Sequence, residues 1–438
     1  MKYMLRVRYG IGYSWRLFIG LLVFILSVAM PLEAVEVYEF EEEERPSTSS
    51  SQVALDSLPS PIISLLIVPP RDEAVYTLYG HAAIRVQGGI GLADRVYNYG
   101  VFDDQAPHFV ANFISGRADD YRVAAQYTSD YVYSYTQQGC EVYELVLNLT
   151  PQEATKMEEL LIENCLPENA YYRYNVVYDN CATRPIAIIE QSINGRLQYP
   201  DEDGTYPQVS RRAMLDRCSL RWAWLKLGTD LALGMPADQK VGARDQVFLP
   251  LYMLDIMRCT HIIDQEGNKR KLVLDEATYT RTAEPALSAP TPIYLHPGSL
   301  ASLLLLCVLI VCGLDRKHLR VWRILYGIYF AILGLAGALL FYLSFFSLHP
   351  LTNPNLNLLS LHPLHLLLGA PLIFIAPYSR MSYWYHWGNI GLQLVYILLI
   401  VFGGLQTPNF APIAWAIATS IVSFRLIVTR NLKRSGNE

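Results

Sequence analysis

The chain predicts an α+β exported domain followed by an all-α helical membrane domain, and three observations carry that expectation. Hydrophobic residues make up 52% of the 438, a high share for a wholly soluble protein. They are concentrated at the two ends, in a run over 17–30 and in five runs after residue 297. Between the ends, short alternating stretches interleave with amphipathic ones, the mixed order of an α+β fold.

Lys2, Arg6, Arg8 and Arg16 precede the uncharged run 17–30, and Pro31 and the small Ala34 come after it. Residues 1–35 thus have the form of a secretory signal, either cleaved or kept as an N-terminal membrane anchor, and both versions export the domain behind them. Four consecutive glutamates at 41–44 and a Ser/Thr/Pro stretch to Ser51 make 36–58 a solvated, flexible linker.

The exported domain spans 59–285. Ile62–Val68, His81–Gln87 and 93–99 read as strands, Phe109–Ser115 as a helix, and the tyrosine-dense 119–135 includes another strand. EVYELVLNL at 141–149 alternates strongly and is a strand. In Thr150-Pro151-Gln152-Glu153 a cap, a proline at the first helical position and a capping-box glutamate start a helix over 151–165. SRRAMLDRC and 222–233 are expected to be helical.

After a proline-rich hinge at 286–297, hydrophobic runs at 298–314, 322–346, 358–377, 388–405 and 411–428 make a transmembrane domain, 298–428, of about five helices. Arg316, Lys317, Arg320 and Arg323 come after the first run, Arg380 after the third, and Arg430, Lys433 and Arg434 after the last, while 347–357 and 406–411 hold no Lys or Arg. The positive-inside rule therefore puts the tail, 429–438, in the cytoplasm and the exported domain on the other side, in agreement with the N-terminus. A net charge of −5 without a long basic stripe argues against nucleic acid as a partner.

The chemistry centres on YYRYNVVYDNCATRPIAIIE, residues 171–190. An extended aromatic stretch ends at Asp179-Asn180, both good helix caps, so a short amphipathic helix over 181–193 is expected. Pro185 fits only a first turn, which allows the start to slip to Thr183. Either way Cys181 sits at the positive end of a helix, where a thiolate is stabilised. His81 opens the strand run HAAIRV and is the candidate base, and Asn98 on the next strand is placed to hold its tautomer. Cys140, Cys165, Cys218 and Cys259 share this domain; export permits disulfides among them, and burial as small apolar residues is an equal expectation. Asp230, Asp238 and Asp245 match no compact carboxylate loop and are expected to line or cap the cleft rather than bind metal.

The order of a strand histidine, a polar residue on the next strand, then Asn-Cys at a helix start resembles the circularly permuted papain-like fold of lecithin:retinol acyltransferase relatives. More closely, the pieces YGHAAIRV, VYNYGVFD, FISGRADDYRV, YDNCATRP, LGTDLALGMPAD, FLP and HPLTNPNLNLL resemble the Lnb-type lipoprotein N-acyltransferases, over residues 60 to 425. The resemblance implies a periplasmic cysteine domain joined to membrane helices in the bacterial inner membrane, with Cys181 as nucleophile and His81 as base. Asn98 is assigned from strand geometry alone. The polar loop SLHPLTNPNLNLLSLHPLH is then expected to bind a lipid head group or the acceptor amine through His349, Thr352, Asn353, Asn355 and His362.

The implied reaction moves an acyl chain from a membrane phospholipid through a Cys181 thioester to the α-amine of a diacylated lipoprotein, with no cofactor or metal. A papain-like cell-wall amidase could use the same dyad, but it has no need of five membrane helices. A non-enzymatic membrane sensor would leave a Cys181→Ala protein active.

Overall fold

A computed structural model describes residues 60–434, except 73, 91–92, 205, 284–288 and 315–318. The expected signal or anchor at 1–35 and the linker at 36–58 lie outside the described residues. The described residues form one compact unit.

The first half is built on a seven-stranded antiparallel sheet. Its strands are β1 (Ile62–Val68), β2 (His81–Gln87), β3 (Arg95–Val101), β4 (Tyr121–Tyr127), β5 (Val142–Leu147), β6 (Tyr171–Tyr172) and the late strand Val273–Tyr279. The late strand closes one edge beside β5, and the order continues β1, β2, β3, β4, β6. Alternation decides which side chains are covered. Ile63, Leu65, Ile67, Ala82, Ile84, Val86, Tyr97 and Tyr99 point to one face, where they form the main core with helices α3 (Pro151–Asn164) and α4 (Thr183–Ser192). Leu66, Val68, Ala83 and Val96 point the other way and are covered by Tyr131 of α2 (Thr128–Gln137). The helix Phe109–Ser115, α1, lies between β3 and β4 in the chain.

Local signals set several boundaries. The capping box starts α3, with Thr150 N donating to Glu153 Oε2 at 2.8 Å and Glu153 N to Thr150 Oγ1 at 3.3 Å. The expected strand at 93–99 runs two residues later, and the tyrosine-dense segment divides into β4 and then α2. Both helices expected after residue 210 form, as α5 (Arg211–Cys218) and α6 (Ala223–Ala232). Among the described residues no disulfide links any two of the seven cysteines.

The second half is helical. α7 (Pro297–Leu314), α8 (Leu319–Phe345), the segment Asn357–Ile375, α9 (Arg380–Phe402) and α10 (Phe410–Arg434) match the five hydrophobic runs. Four of them are long and apolar enough to cross a membrane, and Pro297–Gly313 is a shorter apolar helix. The third run is broken into a turn at Asn357–Ser360, a π-helical stretch at His365–Gly369 and a helix at Ala370–Ile375. Gly337 of α8 makes room for this break, since a Cβ there would collide with the backbone of His362. The fourth helix starts eight residues before the expected 388, because Ser379 caps it by accepting from Ser382 N.

The two halves are joined through polar side chains. Arg212 of α5, 1% exposed, holds Asp238 Oδ1 at 3.0 Å and the carbonyls of Asp230 and Leu233 at 3.0 and 2.9 Å. From the helical half, Asn355 Nδ2 donates to Leu231 O at 2.7 Å, Asn409 Nδ2 to Asp230 Oδ2 at 2.7 Å, and Thr407 N to Asp238 Oδ1 at 3.1 Å. This corrects the placing of the aspartates. Asp230 and Asp238 belong to the joint between the halves, where a buried guanidinium needs anions, and Asp245 pairs with Arg211 at 3.2 Å.

Candidate active site

Cys181 occupies the turn just before α4, which begins at Thr183, the later of the two starts the sequence allowed. Asn180 makes that turn. Its Oδ1 accepts from Ala182 N and Thr183 N, both at 2.8 Å, while its Nδ2 donates to Val176 O at 2.8 Å and Phe248 O at 3.0 Å. One amide side chain thus caps the helix and ties the Cys181 turn to two other segments. Pro185, buried in the first turn, costs no hydrogen bond there.

His81 is the first residue of β2, and the β2–β3 register pairs Ala83 with Asn98. Asn98 is therefore the diagonal neighbour of His81 on the same sheet face, close enough for side chains to meet. His81 Nε2 lies 2.6 Å from Asn98 Oδ1. An amide oxygen only accepts, so the hydrogen sits on Nε2 and Nδ1 keeps the lone pair a base needs. Tyr135 stacks on the imidazole with centroids 6.2 Å apart, and Tyr131 flanks it at 6.5 Å.

The electrostatics couple the two groups. Burial opposes ionisation of Cys181, but the His81 charge, the hydrogen bond from His81 and the amides of Ala82 and Cys181 outweigh it and bring the thiol below its ordinary 9.0. Burial likewise favours neutral His81, yet the charge of Cys181, its hydrogen bond and the bond to Asn98 prevail and raise the imidazole above 6.5. Each shift favours the thiolate–imidazolium state. Such a pair can attack an acyl carbonyl and return a proton to a leaving group.

Residues 60–217 match the family described as the Lnb N-terminal periplasmic domain, and residues 289–433 match the one described as the Lnb transmembrane domain. The chain belongs to the Lnb family. It is a membrane protein with a periplasmic domain, similar to lipoprotein N-acyltransferases. No curated protein and no solved structure matches it.

In this Lnb protein the histidine, the asparagine and the cysteine picked from the sequence come together. The loop residues do not join them, and several of their polar atoms are taken up within the protein. Thr352 is buried, with Oγ1 donating to Leu343 O at 3.0 Å, and both Nδ2 bonds of Asn355 go to α6 carbonyls. His349 Nε2 lies 2.6 Å from Phe113 O, so this ring fastens the loop to α1. His362 is buried against His365, ring centroids 3.9 Å apart, within the helical half. Asn353 alone of the five stays exposed. Polar groups beside a membrane look available in a sequence, but unpaired carbonyls at helix ends compete for them.

Sequence reasoning also missed a residue. Gly100 in β3 has φ +86, and a Cβ there would stand 3.3 Å from Cys181 Cβ. The glycine allows the strand to kink and leaves the space beside the Cys181 thiol. A glycine ending an otherwise regular strand, in VYNYGVFD, was the available signal.

Proposed function

We propose that this protein is a cysteine-dependent lipoprotein N-acyltransferase of the bacterial inner membrane, working in two half-reactions. The observation that carries the reading is the Cys181–His81–Asn98 arrangement, biased toward the ion pair, in the same compact unit as membrane-spanning helices.

In the first half-reaction the Cys181 thiolate attacks the acyl ester carbonyl of a phospholipid. The carbonyl electrons move onto oxygen, where the amides of Ala82 and Cys181 that stabilise the thiolate can serve the oxyanion. The oxyanion collapses, the ester C–O bond breaks, and His81 passes its proton to the departing lysophospholipid oxygen. A thioester remains. In the second half-reaction the α-amine of a diacylglyceryl-cysteine attacks that thioester, His81 takes the amine proton, and the C–S bond breaks to return the thiolate and leave an amide. Ester-to-amide transfer is downhill and calls on no external energy source. Asn98 keeps the Nε2 hydrogen in place throughout.

Mass spectrometry of a lipoprotein N-terminal peptide tests the reading, in cells depleted of other N-acyltransferases and carrying either wild type or Cys181→Ala. A third acyl chain with the wild type that vanishes with Cys181→Ala is expected. If wild type expresses normally and adds no chain, the lipoprotein substrate is wrong.

A further inference from the structure

Helix α1 plays no part in the chemistry above, and its composition is unusual for an exposed element. Its sequence, FVANFIS, holds no charge, and it buries only Ser115. Val110 is 65% exposed, and Phe113 and Ile114 are each 38% exposed. Residues 110, 113 and 114 share one helical face, so this is a patch rather than scatter.

That patch is fixed to the end of a membrane span. Leu348 N donates to Ser115 O at 2.9 Å, His349 Nε2 meets Phe113 O, and the Phe113 and His349 rings lie edge to face at 5.8 Å. Leu348 and His349 come directly after α8, whose last turn and exit carry the exposed Phe345 and Phe346. The apolar face of α1 is therefore held beside the end of α8, a helix long and apolar enough to cross a membrane.

From α1 a row of aromatic rings runs inward. Phe113 meets Phe109 at 6.3 Å, Phe109 stacks on Phe102 at 5.4 Å, Phe102 on Tyr121 at 4.9 Å, and Tyr121 on Tyr174 at 4.3 Å. Tyr174 and Cys181 border the same space beside Gly100, 3.9 and 3.3 Å from where a Cβ would stand. At the membrane end, Arg117 is exposed and forms no ion pair with any described residue.

We propose that α1 lies in the periplasmic leaflet as a lipid portal. A bilayer phospholipid enters there, its acyl chain passing along the Phe109–Phe102–Tyr121–Tyr174 row to Cys181 while Arg117 takes its phosphodiester. Aromatic and aliphatic side chains suit an acyl chain, and a guanidinium suits a phosphate. What happens at the end of the path rests on the acyl-transfer reading; entry of the lipid does not.

The test uses the full chain in vesicles of phosphatidylethanolamine and phosphatidylglycerol with a radiolabelled phospholipid. Benzoylphenylalanine replaces Val110 or, as a control, Leu274, which is 67% exposed on the far-edge strand. A lipid adduct at 110 and none at 274 is expected, in Cys181→Ala protein as well, since crosslinking needs no turnover. In addition, Val110→Asp/Ile114→Asp and Arg117→Glu should each lower the rate ratio of Cys181 acylation by bilayer phospholipid over a water-soluble short-chain ester, by about tenfold for the double variant, while Leu274→Asp keeps the wild-type ratio. Equal adducts at 110 and 274, or a wild-type ratio in the double variant, overturn the portal. If the adduct forms at 110 but wild type never acylates Cys181, the thioester reading falls and the portal stands.

Discussion

Two clusters of polar side chains, one in each half of the molecule, share an inventory of histidine and asparagine and differ in what those residues face. In the periplasmic half His81 stands between Asn98 and a thiol that can carry charge. In the helical half His386 Nδ1 and Asn389 Nδ2 meet Ser423 Oγ at 3.1 and 2.9 Å, Gln393 Nε2 donates to Asn389 Oδ1 at 3.1 Å, and His365 lies between Ser360 O and Tyr385 OH at 2.9 and 2.8 Å. Every partner named in that second cluster is a neutral hydroxyl, amide or carbonyl. A histidine hydrogen-bonded on both sides by neutral groups is an element of helix packing; one that shares a proton with a thiol has the chemistry the proposed acyl transfer needs.

Removing the thiol should separate the two clusters most widely. Cys181→Ala should lower acyl transfer by about a thousandfold or more. Its thermal midpoint in detergent should stay close to wild type, because the change deletes one small buried atom. A comparable activity loss from a substitution in the helical cluster would sink the distinction.

Next in size is Asn98→Ala, expected to lower turnover about 10- to 100-fold. Its pH profile sharpens the point. The thiol pKa is depressed and the imidazole pKa raised, so activity should rise as pH climbs through the lowered Cys181 value and fall as it passes the raised His81 value. Asn98 is among the groups raising His81, so its loss should move the alkaline limb to lower pH. An alkaline limb that stays in place would show that the asparagine does not act through the imidazole.

Gly100→Ala comes third. With φ at +86 and Cys181 Cβ 3.3 Å away, a methyl group strains the backbone and crowds the thiol. Stability should fall by about 1 kcal/mol, and iodoacetamide labelling of Cys181 should slow several-fold, by roughly the amount expected for mild overpacking. Unchanged labelling would mean that the space beside Cys181 is not used.

The smallest effect is expected from Gln393→Leu. It removes donors to Ser360 O and Asn389 Oδ1 inside the helical half, and hydrogen bonds between membrane helices contribute about 1 kcal/mol or less. A small drop in melting temperature, with acyl transfer within about threefold of wild type, separates packing from catalysis.

Much of the fold was legible where the signal is local. The capping box at Thr150–Glu153, the alternation in β1, β2 and β5, and the limit Pro185 sets on α4 each depend on neighbours a few residues away. The candidate pair was also readable, from a helix-start cysteine and a strand histidine occurring together and in that order rather than from either one singly, and Asn98 came from strand adjacency. Less legible were Gly100, which matters only because Cys181 arrives beside it, and Arg212, whose burial nothing in SRRAMLDRC announces.

The exported sheet domain, the helical domain and the residues able to make a thiolate and a base follow from local pattern. These come from periodicity, caps and side-chain chemistry, all written within short windows. What the polar residues of the 347–365 loop bond to is set by long-range packing. Thr352 and Asn355 looked free to meet a ligand, but helix-end carbonyls 9 and 124 residues away in the chain claimed them, and His349 went to the backbone of α1. Which acceptor a side chain satisfies depends on what folding brings within 3 Å of it, and a linear pattern carries no record of that.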